Sequence, residues 1–243
     1  MKKMILLLLF LSAAAAFAAN SYTVQLENAE ESFKKGDYSK AVEIYEALSQ
    51  VEKINNPFVY YNLSNAYYRN GNLGKAVLNI NKAHRLAPRD KDIRANLEYL
   101  SGLAGENPYG GFAGLMLSRF SLNEITVSAA ALVIIILLGF SAFLISRNSF
   151  AKKSAVAGLL ILIPASAALF FRADAEILSK RAVVINASEI RSGPGINNPG
   201  VFSLPEGKIV TIASSNGGWS NIQTRFEEET LNGWIEDADI GKF

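Results

Sequence analysis

The spacing of apolar residues divides the chain into regions of different type. Residues 22–104 place apolar side chains three and four positions apart between glycine-containing turns, which predicts a series of amphipathic helices. Two uninterrupted apolar stretches follow, at 125–145 and 155–171. Beyond Arg172 the apolar residues form short runs bounded by Gly, Pro, Asn and Ser, a pattern typical of strands. These runs are Ala182–Ile185, Ile209–Ile212 and Trp219–Ile222.

The first 19 residues have the pattern of a secretory signal peptide. Lys2 and Lys3 precede an apolar run over 5–11, and Ala16 and Ala18 supply the small residues of a cleavage site. An uncleaved anchor helix is the alternative, because residues 5–19 are almost entirely apolar.

The two apolar stretches predict a transmembrane hairpin over residues 123–172. The stretch 125–145 has 21 residues and no charge, and as a helix it would span roughly 31 Å, one hydrocarbon core. The stretch 155–171 is shorter and contains Pro164, so a buried core helix is its alternative. Neither stretch contains an ionisable side chain, which indicates an anchor and not an ion path.

Basic residues predict the orientation of this hairpin. The connector between the spans has no acidic residue and three basic ones, Arg147, Lys152 and Lys153. The positive-inside rule therefore places it in the cytoplasm, and the leader independently directs the following chain across the membrane. We expect a bacterial inner-membrane protein with two spans whose segments 20–122 and 173–243 face the periplasm.

Two segments of the helical region align at a spacing of 35 residues, Lys35–Val42 and Asn70–Val77. This period and the residue types resemble the tetratricopeptide repeat. The resemblance implies an α-α solenoid over 20–104, with repeats at about 22–55 and 57–90 and a capping helix at 91–103. The motif residues of the second repeat are Tyr60, Leu63, Ser64, Tyr67, Gly71, Ala76, Ala83 and Pro88.

The first helix of each tetratricopeptide repeat lines a concave surface that holds an extended segment or a helix of a partner. The resemblance implies the same use here, and asparagine amides suit a peptide backbone because they both donate and accept hydrogen bonds. The alternative is that these are ordinary solvated helix positions. The expected protein-binding residues are Tyr61, Asn62, Asn65, Tyr68, Arg69 and Asn96, with Glu27, Glu30 and Lys34 before them.

Residues 105–122 have the composition of a linker, with Gly, Asn and Pro at their start. Their second half, 112–120, is either a short interfacial amphipathic segment or an early start of the first span.

The C-terminal segment 173–243 resembles a bacterial SH3-like domain, which implies a small β-barrel. The resemblance rests on Ile190–Pro194, Leu204–Gly207, Gly218-Trp219 and Gly233–Ile235, in that order. Such domains often contact cell-wall peptide or partner proteins. Arg191, Trp219 and Trp234 are therefore candidates for a ligand surface, and the alternative for the tryptophans is that they close a core too small to fill with aliphatic side chains.

Composition excludes several functions. There are 24 basic and 22 acidic side chains, and the basic excess lies beside the apolar stretches, so we expect no nucleic-acid partner. The chain has no cysteine and a single histidine, His84, which we expect at a solvated or half-packed position. We therefore expect no catalytic residues, no metal site and no cofactor.

The whole order of parts, a leader, two tetratricopeptide repeats, a two-span hairpin and an SH3-like domain, resembles proteins of the Bat (Bacteroides aerotolerance) group. The fold class expected is thus multidomain, with helical, membrane and β parts. The resemblance implies a non-catalytic inner-membrane scaffold in a complex linked to aerotolerance and stress, with von Willebrand A-domain membrane proteins and the lipid bilayer as partners. A peptidoglycan-binding or cell-wall-sensing membrane protein that recognises cell-wall peptide is the alternative.

Overall fold

A computed structural model describes residues 21–51, 55–109, 112–146, 167, 180–226 and 229–243. The predicted signal peptide, and all but one residue of the predicted span 155–171, lie outside this range. The helices are α1 (21–34), α2 (Tyr38–Ser49), α3 (Pro57–Arg69), α4 (Leu73–Leu86), α5 (Lys91–Leu103), α6 (Phe112–Leu117) and α7 (Leu122–Ser146). The strands are β1 (Arg181–Val184), β2 (Ser188–Arg191), β3 (Gly200–Leu204), β4 (Ile209–Asn216), β5 (Trp219–Phe226), β6 (Glu229–Glu236) and β7 (Ile240–Lys242).

The first five helices follow one another through short turns whose residues explain where each helix starts. Gly36 and Gly71 adopt φ of 82° and 83°, a left-handed conformation that glycine reaches without strain, so the chain reverses at both ends of the 35-residue spacing. Asp37 and Asn56 cap α2 and α3 by accepting hydrogen bonds from the backbone N–H groups of Lys40 and Phe58.

Small residues let these helices pack closely. Ser64 on α3 and Ala76 on α4 are fully buried, and the Ser64 hydroxyl donates a hydrogen bond of 2.8 Å to the Ala76 carbonyl. Leu63 and Tyr67 fill the space beside them, as the motif predicts. The N-terminal part is thus a set of helical repeats consistent with the tetratricopeptide family.

The C-terminal part is one curled antiparallel sheet, a half-barrel, with the strand order β3-β2-β6-β5-β4-β1-β7. Its core is aliphatic, and the alternative that the tryptophans close this core is wrong. Ile222 and Ile235 point inward, so Trp219 and Trp234, which are an odd number of residues away on the same strands, lie on the outer face and are half-buried. The inward side chains are Ala182, Val184, Ile190, Leu204, Val210, Ile212, Ile222, Ile235 and Ile240.

The sheet packs directly on α4, a contact that the sequence analysis did not predict. Strand β1 is buried on both faces: Ala182 and Val184 belong to the sheet core, whereas Val183, 0% exposed, belongs to the helical core. A side chain on Gly74 would meet backbone atoms of Ile185 at 2.7 Å, so the two parts approach as closely as glycine permits.

Two hydrogen-bonding groups tie the same junction. The backbone N–H of Gly74 donates to the Glu206 carboxylate at 3.1 Å. Lys208 forms an ion pair of 3.0 Å with Glu106 and donates to the Gly105 carbonyl at 3.2 Å. The helical repeats and the sheet are therefore held together by apolar contact, close glycine packing and paired charges.

Helix α7 begins at a capping box. Ser121 accepts a hydrogen bond from the Glu124 backbone N–H at 3.2 Å, and Glu124 accepts one from the Ser121 N–H at 2.9 Å. The short helix α6 is separated from α7, so residues 112–120 are not an early start of that helix.

The predicted spans are not established by the structure. Among the described residues, no helix meets the length and hydropathy that crossing a membrane requires. The spans 125–145 and 155–171 therefore stay predictions.

Candidate protein-binding surface

Helices α1, α3 and α5 each contribute side chains to the surface expected to bind a partner. A cavity of about 210 Å³ opens on this surface between α1, α2 and α3. Its lining combines two aromatic rings, two amides and one charge of each sign: Glu30, Phe33, Lys34, Tyr45, Asn62 and Asn65. We call this the groove cavity.

Contacts between α3 and α5 extend the surface. The Asn96 amide donates to the Asn65 amide oxygen at 2.6 Å. The hydroxyls of Tyr68 and Tyr99 lie 2.7 Å apart, and their rings meet edge to face with centroids 5.7 Å apart. The sequence analysis missed Tyr99, although it lies 31 residues after Tyr68, the spacing that also separates Asn65 from Asn96.

Arg69, an exposed residue at the end of α3, also contacts the neighbouring helix α2. Its guanidinium donates to the Tyr38 hydroxyl at 2.5 Å and lies over the Tyr38 ring, 4.9 Å from the centroid. This cation–π contact joins the end of α3 to the start of α2. Arg69 therefore connects two helices.

Asn62 lines the groove cavity and forms a hydrogen bond with Tyr45. Burial raises the pKa of the Tyr45 hydroxyl to about 12, the charge of Glu30 adds to this, and the hydrogen bond with Asn62 acts in the opposite direction. Phe33 and Tyr45, which supply the rings of the cavity, were not among the expected binding residues. Both belong to the apolar periodicity, which gives no sign that a core residue also lines a groove.

Between α3 and α2, Tyr67 donates a hydrogen bond to the Glu46 carboxylate. Burial raises the pKa of Tyr67, and the hydrogen bond and negative charge of Glu46 raise it further. Both buried tyrosines are therefore neutral at ordinary pH.

The other expected residues line the edges of the surface. Tyr61 is half-buried on α3, and Glu27 is exposed on α1. Glu30 and Lys34 form a loose ion pair of 3.9 Å at the mouth of the groove cavity.

On the sheet, strand register brings Arg191, Trp219 and Trp234 to one face. Arg191 is directly opposite Trp234, and Trp219 is its diagonal neighbour on the next strand, so the three share the outer side. The Arg191 guanidinium is already engaged, because it donates to the carbonyls of Ile196 and Asn198 at 3.1 and 2.7 Å and pairs with Glu189 at 2.9 Å. Arg191 therefore holds the loop that follows β2, and the tryptophans remain as candidate ligand contacts.

His84 is buried, only 7% exposed, and the expectation of a solvated or half-packed position is wrong. Its ring meets the Tyr109 ring edge to face, with centroids 6.2 Å apart, because the segment after α5 folds back over α4. Within the described part of the chain, no cluster of three or more His, Cys, Asp or Glu side chains is placed to hold a metal ion.

Comparison with known families identifies a tetratricopeptide repeat at residues 57–90, which are α3, α4 and the turn that follows them. This confirms the second predicted repeat. Comparison with curated proteins gives no match. Tetratricopeptide repeats are typically non-catalytic interaction modules, so the repeat indicates a role in protein–protein interaction.

Proposed function

We propose that this chain is a non-catalytic membrane scaffold whose groove holds an extended segment of a partner protein. The observation that carries the proposal is the groove cavity on the face of α3 that the sheet does not cover. Since the sheet packs on α4, the chain's own second domain leaves this surface available.

The lining of the cavity favours a peptide. Its volume of about 210 Å³ suits one side chain, which Phe33 and Tyr45 would contact with their rings. Asn62, Asn65 and Asn96 each have more hydrogen-bonding capacity than their mutual contacts use, so they can pair with a peptide backbone beside it.

Membrane attachment is the second part of the proposal. It is supported by the apolar sequence of the hairpin 123–172, by the leader and by the basic connector. Helix α7 also exposes large apolar side chains, including Val127 at 68%, Ile135 at 64% and Leu138 at 65%, which a bilayer would cover. The resemblance to the Bat group supports membrane proteins with von Willebrand A domains as partners and a link to aerotolerance.

The test is a mild-detergent pull-down of the tagged full chain from its own membranes, compared with Asn62→Ala/Asn65→Ala. We expect co-purifying membrane proteins to be lost from the variant. Asn79→Ala is the matched control, because Asn79 lies on α4 and donates its amide to the Lys75 carbonyl of its own helix. Equal capture by all three proteins would contradict the groove as the binding site.

The outer face of the sheet favours a second candidate function, recognition of cell-wall peptide by an SH3-like domain. Trp219 and Trp234 are half-exposed diagonal neighbours, and aromatic faces of this kind bind sugars and peptides by stacking. Muropeptide binding by the full chain, lost in Trp219→Ala, would support it. Absence of binding by the unmodified chain would contradict it.

A further inference from the structure

A second cavity lies at the junction of the helical repeats, the segment that leads into α7, and the residue that follows β7. Its volume is about 410 Å³, within the range of roughly 300–1,000 Å³ typical of small-molecule sites. Residues from all three parts line it: Asn55, Tyr60, Lys82, Arg85, Leu86, Ser121, Asn123 and Phe243. We call this the junction pocket.

The junction pocket is basic. Lys82 and Arg85 belong to α4, and among the residues that the structure describes no Asp or Glu side chain lines the cavity. The Lys82 ammonium lies 5.8 Å from the centre of the Tyr60 ring, a contact between a cation and an aromatic face. Burial lowers the pKa of Lys82, because desolvation disfavours its charged form. An anion beside the ammonium would stabilise that charged form.

The pocket adjoins the start of the apolar helix. Ser121 and Asn123, which line it, flank the first residue of α7, and Val127 is one turn further along, about 6 Å at the helical rise. Arg89 fixes this start against the repeats through an ion pair of 3.2 Å with Glu124 and a hydrogen bond of 3.2 Å to the Arg119 carbonyl. These contacts hold the beginning of α7 in a fixed position beside the pocket.

We propose that the junction pocket binds a phosphate group through Lys82 and Arg85. An arginine fork can hold two phosphate oxygens, an ammonium adds a point charge, and Ser121 and Asn123 supply neutral donors. The group comes either from an anionic phospholipid headgroup or from a soluble phosphate. The lipid source rests on the proposed membrane attachment, whereas the pocket itself does not depend on it.

The experiment is calorimetric titration of the full chain in a neutral detergent with short-chain phosphatidylglycerol in one arm and inorganic phosphate in the other. The variant Lys82→Gln/Arg85→Gln removes both charges, and Lys40→Gln/Lys91→Gln is the control because it removes two exposed cations elsewhere. We expect saturable binding by the unmodified chain and the control, weakened at least tenfold in the pocket variant.

The two arms distinguish the sources. Binding of the lipid alone assigns the pocket to a headgroup, and binding of inorganic phosphate shows that the phosphate group suffices. No binding in either arm, or equal binding by the pocket variant, overturns the proposal. Circular dichroism of each variant checks its fold, and the pocket variant should still capture protein partners through the groove, so failure here is separate from failure of the proposed scaffold function.

Discussion

The two helices of the matched repeat present opposite faces that are used in different ways. The face of α4 is covered by the sheet, with Val183 inserted into the helical core and Gly74 against the backbone of Ile185. The face of α3 carries the groove cavity, with Asn62 and Asn65 in its lining. We call the α4 side of the repeat the covered face, because the sheet packs against it. We call the α3 side the open face, because the sheet leaves it available. Substitutions on α4 should therefore change stability, and substitutions on α3 should change binding.

The largest effect expected is a loss of folding stability at alkaline pH, caused by ionisation of buried tyrosines in the helices that carry the open face. The folded-state pKa of Tyr45 is raised from 10 to about 12, so the stability from keeping it neutral is complete below pH 10 and is lost as the pH rises toward 12. A shift of this size corresponds to about 3 kcal/mol, and Tyr67 contributes in the same direction.

Denaturant unfolding at a series of pH values measures this loss. Both tryptophans of the chain lie in the sheet, so their fluorescence reports the sheet while tyrosinate absorbance reports the helical core. Coincident transitions would show that the covered face couples the two parts. Loss of the tyrosine signal with the tryptophan signal intact would contradict a single cooperative unit.

The next largest effect is on stability, and it should differ in sign between two helical glycines, Gly74 and Gly102, because their surroundings differ. Gly74→Ala would place a Cβ 2.7 Å from the backbone of Ile185, which cannot move aside without separating the sheet from α4. We expect destabilisation of about 2 kcal/mol, as for overpacking in a core.

Gly102→Ala is the matched control. A Cβ on Gly102 meets nothing within 4 Å, so the higher helix propensity of alanine should stabilise the protein by about 0.5–1 kcal/mol. Thermal unfolding of both variants gives the two signs directly. Stabilisation by Gly74→Ala as well would show that the sheet does not dock on α4 in solution.

A smaller effect concerns the ion pair at the junction. The side chains of Lys208 and Glu106 are only 13% and 17% exposed, and Lys208→Met leaves the Glu106 carboxylate and the Gly105 carbonyl without this donor. We expect a loss of about 1.5 kcal/mol in the free energy of unfolding.

Lys35→Met is the control for this prediction, because Lys35 forms a shorter pair of 2.6 Å with Glu31 at an exposed position. Exposed pairs contribute little, so we expect no measurable change there. If the two substitutions had equal effects in urea titrations, the junction pair would not differ from a surface pair.

Local features of the open face were predictable from the sequence. The 35-residue spacing located the turns at Gly36 and Gly71, and Ser64 and Ala76 were identified as the small residues between α3 and α4. These predictions succeed because packing within a repeat depends on residues a few turns apart. The contact of Arg69 with Tyr38 was not predicted, because many helix positions could have supplied such a ring.

The covered face was not predicted, because it depends on contacts between distant segments. The run Ala182–Val184 is apolar at successive positions, which is a sign of burial on both faces of a strand. The run does not indicate which part of the chain packs on the face that points away from the sheet core. Strand register turns Ile222 and Ile235 inward and therefore turns the tryptophans outward. A sequence of mixed apolar residues does not specify that register.

The smallest effect on stability is expected on the open face itself. Asn62→Ala loses a hydrogen bond with Tyr45 and gains helix propensity, so the free energy of unfolding should change by only about 0.5 kcal/mol. The hydrogen bond from Asn62 lowers the pKa of Tyr45, so its removal should shift the tyrosinate titration to higher pH. Asn79→Ala on α4 should leave both that titration and partner capture unchanged, because Asn79 contacts its own helix. A variant that loses the partner, keeps its stability and shifts the Tyr45 titration would place the binding surface at the groove cavity. If Asn79→Ala lost the partner as well, capture would not depend on the groove cavity, and the division between the two faces would fail.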